Sequence, residues 1–425
     1  MLKKKLIRVT TSDISLDILL KGQLKFLSSF YDVTGVASDS GRLKSISDRE
    51  KINVVDIPME RKVSLKRNLK SLFSLYRLFK KIKPDIVHAN TPMASLLSMV
   101  AAWLARVPYR VYLVTGLRYQ GATGLFRLIL KTTERITCLF ATNVIPEGQG
   151  VLHCLKHDHI TTKPLAVLHF GNINGKDTVY YSREQTSADL CSRLSVHDDT
   201  SVNGVRNLLR NRLGFGANDF VFVFVGRVNK DKGINELADS MSALEKFAAE
   251  EQSVLCSSNG AVFKYPKLLI VGPYEETLDP LKKSTIDFLK NSPNVVCVGQ
   301  QDDIRPYLMA SDTLVLPSYR EGFPNAPLEA GCMELPCIVT DINGSNEIIK
   351  DGLNGKIIES ALGNGKNGSE LMQRALFTTM KWFLLHPSEV KRMSRNARGL
   401  IISRYDQKDV WNALLNFYDN LDKNK

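Results

Sequence analysis

Short β-branched runs alternate with longer stretches of helical period through the first 170 residues, at 5–11, 31–37, 52–58, 85–90, 110–116, 143–148 and 164–170. Strands that alternate with helical segments predict βαβ units and a parallel sheet. The pattern lapses over 175–205, a polar stretch of no sustained period, which reads as a linker or insertion. It then resumes with strand-like runs at 220–228, 267–273, 294–299, 312–318, 336–341 and 355–360. Two consecutive α/β units are predicted, one over 1–175 and one over 206–400, with 176–205 between them. From 401 to 425 the chain reads as a helix, Trp411, Leu414, Leu415 and Phe417 being its apolar positions, that crosses back to the first unit. In open parallel sheets ligands lie beyond the carboxyl ends of the strands, so chemistry is sought there and in a cleft between facing units.

Composition narrows the class. With 44% apolar and 24% charged residues the chain reads as globular, and disorder, collagen and coiled coil are excluded. No apolar run reaches the length of a spanning helix; 93–105 is too short and reads as a buried core helix. The basic N-terminus has no apolar run of useful length behind it and no small-residue cleavage site, so the expected location is the cytoplasm. Seven cysteines without a C-x-x-C pair suggest neither a disulfide framework nor a zinc site.

The net charge of +13 is unevenly spread: residues 1–150 carry about +14, while 201–425 are about neutral. Much of the excess lies in 61–83, with nine Lys or Arg, no acid, and Leu65, Leu69, Leu72, Phe73, Tyr76 and Phe79 at helical spacing. Such a helix suits an anionic lipid surface, or else it covers the sheet with a solvated basic face. Nucleic acid is not expected as a partner, because no aromatic platform, zinc module or helix-turn-helix spacing is present.

Two segments carry candidate chemistry. Gly226-Arg227-Val228-Asn229-Lys230-Asp231-Lys232-Gly233 follows a strand and opens a helix, and its two spaced cations suit a diphosphate. It is not a P-loop. In the segment from Ser318 to Ala330, Glu321 and Glu329 flank a Gly- and Pro-rich turn through Pro324, Asn325, Ala326, Pro327 and Leu328. Carboxylates, as pure acceptors, suit sugar hydroxyls on either side of a phosphate held by helix-opening amides.

These residues resemble glycosyltransferase family 4, the retaining group 1 enzymes of GT-B fold. Glu321 to Glu329 fits the family's E-x7-E motif, and Gly226-Arg227 with Lys232-Gly233 fits its G-R-x-x-x-x-K-G element. The match runs from about 220 to 360 and takes in Gly344, Glu347, Asp351-Gly352 and Asn354-Gly355. The resemblance implies an α/β GT-B fold, two Rossmann-like domains facing across a cleft, the first binding the acceptor and the second the donor. It implies that Arg227 and Lys232 neutralise the donor diphosphate, that Glu329 binds the nucleotide ribose and that Glu321 holds the transferred sugar, with backbone amides around Pro324 to Leu328 on sugar and phosphate. No metal and no cofactor are then required, and Asp198-Asp199 and Asp302-Asp303 read as surface acids.

In the first half, Lys21-Gly22-Gln23-Leu24 and His88-Ala89-Asn90-Thr91-Pro92-Met93-Ala94 resemble a subgroup acting in bacterial polysaccharide and lipid-linked oligosaccharide assembly. Met93 stands where that subgroup has Lys, and Thr115, before Gly116-Leu117-Arg118, where many relatives have His. Lys21, Gly22, His88, Thr91 and Arg118 are the acceptor-side candidates, with His88 and Thr115 as candidate catalytic groups beside Glu321. The implied reaction moves a sugar, retaining its configuration, from a nucleotide sugar, a UDP-sugar by preference, to an undecaprenyl-diphosphate-linked glycan. Its expected place is the inner face of a bacterial cytoplasmic membrane, with helix 61–83 on the lipid. The alternatives are a nucleotide-sugar epimerase of the same architecture and a non-catalytic membrane-associated partner of a glycan assembly complex.

Overall fold

A computed structural model describes residues 3–59, 65–195, 199–255, 264–275, 279–361 and 367–424. The chain divides into two compact units, Met1–Gly175 with Gln407–Lys425, and Lys176–Asp406. In the first, strands β1 (Lys5–Ser12), β2 (Asp32–Ser38), β3 (Asn53–Asp56), β4 (Ile86–Asn90), β5 (Tyr109–Val114) and β6 (Asn143–Pro146) form a sheet in the order β3-β2-β1-β4-β5-β6. In the second, β7 (Phe220–Val225), β8 (Pro266–Val271), β9 (Val295–Gly299), β10 (Thr313–Leu316), β11 (Cys337–Thr340) and β12 (Gly355–Ile358) follow β12-β11-β10-β7-β8-β9. Every pairing is parallel, and each sheet reverses its winding once, between β1 and β4 and between β7 and β10. These reversals are where a Rossmann-like sheet opens a crevice for ligands.

Helices on both faces explain why β7, Phe-Val-Phe-Val-Phe-Val, is apolar throughout rather than alternating. Phe220, Phe222 and Phe224 are all essentially fully buried, each contributing about 1.5–3 kcal/mol of apolar transfer.

Four expectations need correction. The run 164–170 is not a strand: Leu165 makes a single bridge to Val144, and Pro164 before it has no N–H to extend a ladder. The stretch 176–205 is not a bare linker, since it holds a helix at Arg183–Leu194 and the start of another at Val202–Arg212, both part of the second unit. Their weak apolar pattern conceals this because the first is anchored by polar contacts, among them Asp189 to the fully buried Arg305 at 2.8 Å. The third concerns the C-terminal helix, which begins at Gln407 rather than near 401. The preceding helix, Pro387–Tyr405, ends where Asp406 turns extended and accepts a hydrogen bond from Thr178. In the fourth, the basic helix runs Leu65–Ile82, Arg61 to Ser64 lying outside the described residues; Leu75 and Phe79 are its buried apolar positions, and Leu72 and Tyr76 pack against the core beside them as expected. Leu69 and Phe73 point outward, with the Arg77 guanidinium over the Phe73 ring.

One buried acid has a measurable signature. Glu134 accepts a hydrogen bond from Tyr112 Oη at 2.6 Å, and burial raises its carboxyl to about 7. Because the folded state holds this proton more tightly than the unfolded chain, the associated stability is complete below pH 4.5 and is lost as pH rises to 7, by about 3 kcal/mol. Glu134→Gln should remove that slope, and urea unfolding of both proteins at pH 5 and pH 7.5 reads it. Parallel pH dependence of the two would rule the assignment out.

Candidate active site

The loop after β7 and the loop after β10 meet at the point where the second sheet reverses. They are laced together: Tyr319 N donates to Asp231 O at 2.9 Å, Arg320 Nε to Asp231 Oδ1 at 2.7 Å, and Lys232 Nζ to Glu321 Oε1. Ser318 Oγ donates to the same Glu321 oxygen at 2.8 Å. Lys232 is presented by a single 3-10 turn, capped where Asn229 Oδ1 accepts from Lys232 N at 3.2 Å. Gly233 then starts the helix Ile234–Leu255 with φ of 71°, and a Cβ there would lie 2.0 Å from Pro317 O, so only glycine lets the two loops approach. Gly344, at φ 74°, likewise packs on the Gly322 carbonyl and Pro324.

Each predicted cation is held by a carboxylate. Lys232 has Glu321, and the half-exposed Arg227 has Glu275, which also accepts from Asn229 Nδ2. The helix Asn325–Cys332 places Glu329 one turn in, where Lys176 Nζ donates to it at 2.7 Å and Tyr181 Oη at 3.3 Å. Burial, and then the Glu329 charge, push the Tyr181 phenol well above its usual range. Pro327 and Leu328 are buried with their side chains turned into the core. Any ligand contact from them would be through backbone, and neither Pro324 nor Pro327 has an N–H to offer. Lys176, Tyr181 and Glu275 escape the sequence reading, Lys176 and Tyr181 because they fall in the supposed linker and Glu275 because nothing in its spacing marks it. The arrangement, two cations and two carboxylates beyond the strand ends, can receive an anion flanked by hydroxyl groups. Among the described residues, no group of three or more His, Cys, Asp or Glu is placed to hold a metal ion.

The first unit treats its predicted residues differently. His88 is not at a strand end facing a ligand: it is central in β4, in register with Arg8 on β1, and has no exposed surface. Its Nδ1 meets Tyr418 Oη at 2.5 Å, while Nε2 is buried without a partner. Burial, and then the adjacent Arg8 charge, hold its pKa well below the usual value, so the imidazole is neutral. Arg8, equally buried, donates to Gln23 Oε1 at 2.7 Å and Asn90 Oδ1 at 3.1 Å. Arg8 and His88 border a cavity of about 10 Å³, room for one water.

Lys21 is exposed, and Gly22, at φ 80°, opens a short helix by donating its N–H to Glu50. Thr91 stands just past β4 at φ 75°, a conformation costing on the order of 1–3 kcal/mol, held because its Oγ1 accepts from Thr11 N at 3.1 Å. Thr115 follows β5, half-buried, and Arg118 is exposed three residues on. The strained Thr91 is thus the predicted acceptor-side residue whose backbone departs most from the ordinary.

Comparison with known proteins agrees with this geometry. The family model described as "Glycosyl transferases group 1" matches residues 205–399, and "Glycosyl transferase 4-like" matches 15–147. The capsular polysaccharide biosynthesis glycosyltransferase CapM of Staphylococcus aureus is 30% identical, over 94% of this chain and 93% of that protein. An Escherichia coli UDP-Gal:alpha-D-GlcNAc-diphosphoundecaprenol alpha-1,3-galactosyltransferase is also 30% identical, over 77% and 76% of the two chains. Among solved structures, Anabaena HepE in complex with UDP and glucose superposes with a TM-score of 0.71 at 17% identity, covering 98% of this chain and 100% of that one, a likeness of fold. Two Rossmann-like sheets of identical winding, with paired cations and carboxylates at one reversal, accordingly place the chain among the group 1 glycosyltransferases of GT-B fold.

Proposed function

We propose that this enzyme transfers a sugar from a UDP-sugar to an undecaprenyl-diphosphate-linked saccharide, with retention at the anomeric carbon, in bacterial polysaccharide assembly. The observation that carries the reading is the pairing of Lys232 with Glu321, beside Arg227, where β7 and β10 part. A diphosphate entering there takes over the cations, and a sugar and ribose on either side of it meet Glu321 and Glu329. The acceptor hydroxyl oxygen bonds to the anomeric carbon on the face the diphosphate leaves. Its proton passes to a diphosphate oxygen, the C–O bond to the diphosphate breaks, and UDP departs. Arg227, Lys232 and the amides opening the helix Asn325–Cys332 stabilise the leaving charge, the part a metal plays elsewhere, so no divalent ion is required. The E. coli relative, whose name carries both UDP-Gal and a diphosphoundecaprenol acceptor, supports the donor and acceptor classes. The cations of the helix Leu65–Ile82 support work at a membrane surface, and no described helix is long and apolar enough to cross one.

Thermal unfolding against UDP, GDP, ADP and their sugar conjugates, with and without EDTA, tests this. A nucleotide at 100 times its Kd stabilises the fold by about 2.7 kcal/mol. UDP and a UDP-sugar should raise Tm equally in EDTA. A requirement for divalent ion, a preference for GDP, or conversion of UDP-GlcNAc without an acceptor would overturn the corresponding part.

A further inference from the structure

The helix Gly124–Phe140 is built the wrong way round for a helix that covers a sheet. Its inward positions include Glu134 and Thr137, both almost fully buried. Its outward positions 125, 128, 129, 132, 136 and 139 fall at helical spacing on one stripe, and all but Thr132 are Leu or Ile. Leu125 is 74% exposed and Leu139 70%. At the C-terminal end the stripe continues onto the half-exposed Trp103 of the neighbouring helix Pro92–Leu104, whose ring lies 4.9 Å from that of Phe140. A stripe of this size left in water costs more solubility than a solitary surface leucine, and it marks a docking face.

Charge identifies the occupant. The exposed Arg135 borders the stripe, Arg127 lies one heptad before the inward Glu134, and Lys131 pairs with Asp158 at 2.6 Å. The helix Leu65–Ile82, packed on the other side of Pro92–Leu104, adds six Lys or Arg and no acid, with Leu69 and Phe73 outward. Apolar stripe and cationic flanks match an anionic bilayer, in which an interfacial helix buries Leu and Ile at the acyl boundary while Arg and Lys meet head groups. A protein partner would be expected to answer an apolar face with its own, without needing so one-signed a border.

We propose that the helix Gly124–Phe140 is the element through which the first unit enters an anionic membrane surface, and that the basic helix Leu65–Ile82 supplies attraction rather than insertion. This deepens the membrane part of the function proposed above, but it is read without donor or acceptor, so its failure leaves the transfer reaction untouched. The full-length protein is floated with vesicles of phosphatidylglycerol and phosphatidylcholine, and with phosphatidylcholine alone. Wild type should float with the anionic vesicles. Leu128→Glu combined with Ile136→Glu, both outward, should lower partition at least tenfold at low and at high salt, with unchanged circular dichroism and Tm. Lys70→Glu combined with Lys81→Glu should lower it only at low salt, where charge is unscreened. Trp103 fluorescence should shift to the blue on binding in wild type. Flotation of the Leu128/Ile136 variant like wild type, or absence of wild-type flotation, overturns the proposal. A wild-type dimer that this variant dissolves, with flotation unaffected, would assign the stripe to a second copy instead.

Discussion

Glu321→Gln is expected to lower kcat/KM for sugar transfer by about 10²–10³-fold while shifting Tm by no more than a few degrees. The substitution keeps shape and leaves an oxygen to accept from Ser318 Oγ, now at 2.8 Å, and it removes the charge that holds Lys232. A loss of this size is about 2.7–4 kcal/mol of transition-state stabilisation, the scale of one well-placed polar contact to a reacting group. Both partners are still 13–15% exposed, so water can reach the orphaned ammonium and the full penalty of a stranded buried charge does not apply. Steady-state kinetics with a synthetic lipid-diphosphate acceptor separates two origins. A fall in kcat with donor Kd unchanged assigns Glu321 to the reacting sugar. A rise in donor Kd alone would instead make it a clamp for Lys232. Wild-type kinetics would remove Glu321 from the site.

Gly233→Ala is expected to destabilise the second unit by about 2–4 kcal/mol and to weaken nucleotide binding with it. A methyl group at φ 71° is strained in any surroundings, and here it would lie 2.0 Å from the Pro317 carbonyl oxygen, a backbone atom that cannot rotate aside. Relief requires the β7 and β10 loops to separate, which draws Lys232 away from Glu321. For a unit of this size the cost corresponds to a fall in Tm of roughly 5–15 °C. Differential scanning calorimetry reads the first effect and UDP titration the second. Loss of stability with undiminished UDP affinity would show that the contact serves packing alone.

The strands are legible in the sequence because short β-branched runs between helical stretches have few other readings, and of those runs only 164–170 fails to become a strand. The two segments that meet through Lys232 and Glu321 are legible because their spacing is a local property, each following a strand end within a few residues. What does not show has a common physical origin. Periodicity says which residues share a face but not where that face points, so it cannot tell the outward stripe of Gly124–Phe140 from the inward Leu75 and Phe79 of the basic helix. His88 reads as a ligand-facing residue because its burial depends on Tyr418, some 330 positions away. Lys176 is hidden by the polar run around it, whose order comes from contacts with distant elements such as Glu329.

The short helix Gln407–Asp419 completes the first unit from the far end of the chain, and Tyr418 is what stands against His88 and Arg8. During synthesis the first 175 residues therefore leave the ribosome with that polar face uncovered, and they wait while about 230 residues of the second unit are made. At roughly 5–20 residues per second this interval lasts on the order of 10–50 s, long enough for the nascent first sheet to need shelter. The half that is begun first therefore cannot be completed until the helix Gln407–Asp419 has been made.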